Sequence, residues 1–232
     1  MKAATRAFKG VLAAVGVVLV LAVVPAPAFA GGSTLVVDDN NGQWAGAAFS
    51  TIGAAVAAAA PGDTVAVCAG LYPETVMGDK SLTFTGARAG VDGRTGRGAL
   101  AKESVVVSAG GGFIIASAAD DVTINGFTIP GAGGDAAGAD TIEEFRGSSG
   151  LTVVNNVIRD NQLGITMQKP DGAHPATISR NAFIDNSLGT TAEGGTGVFI
   201  SSGPANHTSI DHNRFTGHRE TAINFAGSPN HS

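Results

Sequence analysis

Four carboxylates in the second half of this 232-residue chain, Glu144, Asp171, Glu193 and Glu220, are of the kind that glycoside hydrolysis uses in pairs. That reaction wants two acids on opposite sides of the scissile bond, ~5–9 Å apart, and Glu144 with any of the other three would supply them. Eliminative cleavage of a uronate would instead draw on His218 or Arg219 as base, with a cation or a carboxylate partner to neutralise charge. Thr166, Lys169, Phe199 and Asn224 are the substrate-binding candidates around these groups. No metal site is read from the histidines: all five lie beyond residue 173 and none shows a His-x-x-x-His spacing. Calcium is the one cofactor with a foothold, at Asp160 with Asp185, whose stacked carboxylates would repel without a cation, and more weakly at Asp135 with Asp140.

Composition narrows the classes of function before any element is placed. The chain carries 34 Gly, one Trp, one Tyr and one Cys, with 44% apolar and 14% charged residues, which excludes disorder and collagen. Fourteen basic against 19 acidic residues leave no electrostatic footprint for nucleic acid. A single cysteine excludes a disulfide framework and a multi-cysteine zinc module. Cys68 lies in the apolar run from Thr64 to Ala69 and reads as a small buried hydrophobe.

Residues 1–30 read as a secretory signal. Lys2, Arg6 and Lys9 precede an apolar run from Gly10 to Val24, Pro25 and Pro27 break it, and Ala28-Phe29-Ala30 offers small residues for cleavage. The run is shorter than the ~20 residues of a spanning helix. The protein is therefore expected to be extracellular, with no membrane association after cleavage.

One domain is expected over 31–232, with a cap over about 31–62 and coils over about 63–227. Ser50 as cap, the Ala-rich stretch from Thr51 and the Pro61-Gly62 stop describe one short helix. Everything after Asp63 reads as short β-branched bursts separated by Gly, Asn and Asp. Four of them align without gaps, at Val122–Ile129, Leu151–Ile158, Ala176–Phe183 and Thr208–Phe215. Ile124, Val153, Ile178 and Ile210 fall in one column; Phe127, Asn156, Asn181 and Asn213 in a second; Ile129, Ile158, Phe183 and Phe215 in a third. A second alignment joins Ile165–Met167, Val198–Ile200 and Ile223–Phe225. Repeats of three short strands cannot bury their own apolar faces, but stacked repeats can. Stacking at ~4.8 Å would pile Asn156, Asn181 and Asn213 into an amide ladder, and Asn161 and Asn186 into another with His218 in the next place.

These residues resemble the right-handed parallel β-helix proteins of the pectin-lyase-like superfamily. The likeness rests on Pro61 to Val76 after an Ala-rich helix, on Asp120 to Ile129, and on Leu151 to Ile165, and it covers most of residues 34–227. It implies an all-β fold, a single-stranded right-handed parallel β-helix whose short N-terminal helix caps the first coil and shields an open sheet edge. Activity does not follow from the fold. Gly70-Leu-Tyr-Pro-Glu74 resembles the opening motif of pectin methylesterases, but their later catalytic strings are absent. The paired motifs of polygalacturonases and the Asp-Pro-His of alginate epimerases are absent too.

Alternation along the strands places Ile114, Glu144, Thr166, Phe199 and Asn224 in one outward column, flanked by the insertions Pro130 to Asp140 and Leu188 to Thr196. This face is the expected groove. The functional expectation is a secreted protein that binds, and by lyase or glycosidase chemistry processes, an extracellular polysaccharide. The alternative is a non-catalytic surface or adhesion module. The sequence stops a few residues past Phe225 without a polar closing segment, so a partner or a further stretch of chain is expected over the last coil.

Overall fold

The computed structural model describes residues 32–97, 99–131, 140–168, 174–188, 194–201 and 208–226. Residues 1–30, read above as a secretory signal, and Lys169, Asp171, Asp135 and Glu193 lie outside them. Nineteen short strands are wound into three parallel sheets, and from the second strand onward the chain visits the sheets in rotation, giving a right-handed parallel β-helix. Sheet I has seven strands, from Thr34–Val37 through Thr64–Val67, Thr83–Thr85, Thr123–Asn125, Thr152–Val154 and Ala176–Ser179 to Thr208–Asp211. Sheet II runs from Gly70–Tyr72 to Arg214–Thr216, and sheet III from Val76–Gly78 to Ile223–Phe225, with six strands each.

The aligned columns of the sequence are true neighbours. Ile124, Val153, Ile178 and Ile210 pair in register on sheet I, and Ile129, Ile158, Phe183 and Phe215 do so on sheet II. Their side chains fill the bore, where Phe183 stacks on Phe215 at 4.7 Å and Phe113 meets the edges of Phe84 and Phe127. No single coil could bury these groups; each does so only against the coils above and below.

Two tight corners turn the later coils, and both use one local device. Asn155, Arg180 and His212 adopt left-handed backbone, φ 58°, 56° and 49°, each followed by a ladder asparagine. The backbone N–H and Nδ2 of Asn156 donate to Oδ1 of Asn181 at 2.9 and 3.1 Å, and Asn181 makes the same two bonds to Asn213. At the second corner Asp160 and Asp185 are the left-handed residues, and Asn161 donates in the same way to Asn186. A bend in buried backbone leaves donors and acceptors that the strand ladder no longer satisfies, and the amide column satisfies them.

Where sheet II gives way to sheet III the coils close tightly on glycine. A Cβ on Gly112 would lie 2.5 Å from Ile129, one on Gly164 2.3 Å from the Gly197 carbonyl, and one on Gly197 2.6 Å from the Ala222 carbonyl. These are collisions with backbone or packed core, so only a hydrogen fits.

The helix Ile52–Ala58 caps the first coil, burying Ile52, Ala55 and Val56. Its N-cap is Thr51, whose Oγ1 accepts from Ala54 N at 3.3 Å, in place of the expected Ser50. The carboxylate of Glu74 adds two bonds of 2.8 Å from the N–H groups of Ile52 and Gly53, and Lys80 Nζ donates to the Val56 carbonyl at the other end. Opposite charge at each helix end is the favourable arrangement.

Candidate functional site

Two outer faces are long and regular enough to meet a polymer. On sheet III the outward column reads Met77, Ile114, Glu143, Thr166, Phe199 and Asn224. Glu143 therefore stands where Glu144 was expected. Glu144 belongs to the inward column of Ile115, Met167 and Ile200 and is 1% exposed. Parity is the cause: Ile142 and Phe145 flank the two acids with opposite phase, and the fully buried Ile142 fixes the register. Glu143 Oε1 accepts from Gln168 Nε2 at 2.6 Å. Thr166 and Phe199 are buried on this outer side, at 5% and 7% exposure.

The other expected catalytic residues are held elsewhere. His218 occupies the next place in the second ladder, where its Nδ1 faces the Asn186 carbonyl at 3.4 Å and its ring lies 5.9 Å from that of Phe215. Burial pushes the His218 imidazole below its ordinary pKa, against the opposing pull of the Asn186 carbonyl and the Asp185 charge. Arg219 donates to the Gly194 carbonyl at 2.6 Å and to Glu220 at 3.3 Å. Glu220 lies in the last described coil, three coils beyond Glu143. That is about 14 Å along the axis at ~4.8 Å per coil, which exceeds the carboxylate separation of glycoside hydrolysis. Asp171 and Glu193 lie outside the described residues, so Glu143 is the one acid the described part of this column presents.

Calcium finds no cluster of three or more His, Cys, Asp or Glu among the described residues. Asp160 is engaged by Arg159 at 3.5 Å, and Oδ1 of Asp185 sits where a Cβ on Gly217 would be.

Sheet I carries a row that the sequence reading passed over. Thr34, Thr64, Thr83, Thr123, Thr152, Thr177 and Ser209 pair in register, one per coil, all facing outward. Thr34 and Ser209 are exposed and the other five half-buried, and the hydroxyls of the six threonines make no hydrogen bond to another described residue. The signal was present as the second position of every aligned repeat, but threonine is so common on strands that it passed as filler. Beside it runs a mixed row of Val36, Ala66, Thr85, Asn125, Val154, Ser179 and Asp211.

At the N-terminal end of this face lies a cavity of about 490 Å³ lined by Trp44, Val36, Ala66, Cys68 and Thr85. Trp44 is 57% exposed. The loop bearing it is fixed from beneath by Asp38, fully buried, whose carboxylate accepts the N–H groups of Asn40, Gln43 and Trp44 at 3.2, 2.9 and 2.6 Å. Burial alone would raise the Asp38 pKa, but these bonds hold it below the ordinary carboxylate value. Cys68 is half-buried and lines this cavity, a correction to its expected place in the core. Partial burial and the nearby Asp38 and Asp39 charges push its thiol pKa up, which keeps it protonated and a weak nucleophile. Tyr72, by contrast, is a core residue with its hydroxyl on the Cys68 carbonyl at 3.1 Å.

Among the described residues no helix is long and apolar enough to cross a membrane. A family model described as "Right handed beta helix region" matches residues 80–232. No curated protein and no solved structure matches the chain.

Proposed function

The chain belongs to the right-handed β-helix family, and from that premise we propose that it is a secreted protein that binds an extracellular polysaccharide without cleaving it. The observation that carries this reading is the repetition of equivalent outward side chains, one per coil, along sheet I. A surface that repeats along one axis suits a ligand that also repeats. Secretion rests on the charged, apolar and small-residue order of residues 1–30.

Hydrolysis is the weaker reading, because Glu144 faces the core and Glu220 is three coils from Glu143. Lyase chemistry is weakened in turn by His218, whose Nδ1 faces the Asn186 carbonyl in the ladder, and Arg219, which is tied to Gly194 and Glu220. The test is a panel of neutral and uronate-containing glycans, assayed for retention of the protein and for new reducing ends or unsaturated products. Retention without products is expected. Products that vanish in a Glu143→Gln variant would establish processing instead. A panel that retains nothing would overturn the polysaccharide reading.

A further inference from the structure

We infer that the binding face is the outer surface of sheet I, and that its ligand is a neutral glycan chain laid along the helix axis with one sugar ring stacked on Trp44. This rests on the polysaccharide reading above and adds to it a place and a ligand class. Three independent features of the face point the same way.

The first is Trp44 itself. A large aromatic at 57% exposure over a hollow is an unusual use of the one tryptophan in the chain. The hollow is built for it: Ala66, Ala69, Ala87 and Ala89 keep its walls low, and three backbone N–H bonds to buried Asp38 fix the loop that carries the indole. A pyranose ring has an apolar face of C–H groups bounded by hydroxyls. It fits an aromatic wall over an apolar floor with Thr34, Thr85 and Gln43 at the edge.

The second feature is the hydroxyl row that continues from the cavity. Six threonines and a serine recur at the ~4.8 Å coil spacing, close to the length of one sugar residue, and the threonine hydroxyls are not consumed by other described residues. Each can both donate and accept, which is what a ligand made of hydroxyls requires. Val36, Ala66 and Val154 in the adjacent row supply apolar contacts for ring faces between the polar ones.

The third is charge. The two rows hold no Lys or Arg, and their one acid, Asp211, is at the far end, bonded to Ser179 at 2.5 Å. A polyuronate would bring a carboxylate per residue to two rows that carry no cation of their own, so these rows select against anionic chains.

Because Trp44 is the sole tryptophan, intrinsic fluorescence reports directly on the cavity. Titration of the mature protein with cello-, xylo- and manno-oligosaccharides is expected to change Trp44 emission for at least one series, with galacturonate oligomers inert. Trp44→Ala should weaken binding tenfold or more in calorimetry, and Thr123→Lys should weaken long oligomers while sparing short ones. Thermal melts of both variants establish that they are folded, and slower alkylation of Cys68 at alkaline pH in the presence of bound glycan gives a readout independent of either substitution. A bound glycan whose affinity is unchanged in Trp44→Ala and Thr123→Lys but lost in Met77→Lys, on sheet III, would overturn the site while leaving polysaccharide binding intact. Preference for galacturonate would overturn the ligand class. Absence of binding to every glycan overturns this inference together with the broader reading.

Discussion

Arg97 and Glu103 form an ion pair with side chains 1% and 4% exposed, at the end of the long excursion that leaves sheet I after Thr85. The Arg97 guanidinium also bonds the carbonyls of Phe127, at 3.0 Å, and Asn155, while Glu103 accepts from Thr128 Oγ1 at 3.0 Å. One buried pair thereby straps the excursion across the first corner of two later coils. Removing either partner alone should be costly in urea unfolding: Glu103→Gln leaves the buried Arg97 charge without its carboxylate and should cost about 3–5 kcal/mol, and Arg97→Met, in which Glu103 keeps only the more distant Arg88 at 3.8 Å, somewhat less. Replacing both with apolar side chains should cost much less. A single variant with near-wild-type stability would show that the strap carries no load.

The first amide column makes a second prediction. Asn181 gives N–H and Nδ2 bonds to Asn213 and a further Nδ2 bond to the Val153 carbonyl at 2.8 Å, and its Oδ1 accepts twice from Asn156. Asn181→Ala strands several buried partners, so a loss of about 3 kcal/mol is expected. Asn181→Asp should be as damaging, because a carboxylate cannot donate to Val153. Chemical denaturation of the two variants tests this, and tolerance of Asp would show that donation is unimportant.

At the helix cap, Glu74→Ala should destabilise by about 1 kcal/mol through loss of two N-terminal bonds. Hydrogen exchange is expected to rise at Ile52 and Gly53 first. Unchanged exchange there would remove Glu74 from the cap.

Two titrations work in the same direction at different pH. His218 has a folded pKa below its unfolded value of ~6.5, so the fold prefers the neutral ring. The associated stability is complete above pH ~6.5 and is lost as pH falls from there toward the folded value. His218→Asn should abolish this loss and, by extending the ladder from Asn186, raise stability by about 1 kcal/mol. Thermal melts between pH 5 and 8 provide the measurement, and an equal slope in the variant would refute the assignment. Asp38 is also depressed, so its anchorage of the Trp44 loop is complete above ~3.9 and fails only as pH drops through its lower folded value. Trp44 emission should therefore stay constant down to about pH 4.

Most periodic features were legible in the sequence, the threonine row of sheet I excepted, and the contacts made only once were not. Asn156, Asn181 and Asn213 announce themselves because a corner needs the same amide each time it recurs, and Ile124, Val153 and Ile178 because each coil fills the same bore. Glu143 was hidden by its neighbour, since two adjacent acids differ only in parity and parity hung on one isoleucine. Arg97 and Glu103 lie in an excursion made once, so no repetition exposed them. Trp44 was visible as the lone tryptophan, but its position over sheet I depends on Asp38, whose three backbone bonds leave no trace in residue type.

The close fit at Gly112, Gly164 and Gly197 bears on how the molecule could vary. At each of these places only a hydrogen atom fits, and one methyl group would strike Ile129 or the carbonyl of the next coil and dilate the winding there. Since neighbouring windings are bonded edge to edge, that dilation would pass along the tube like a misfitting step in a spiral stair, spoiling the even pitch on which any long ligand depends.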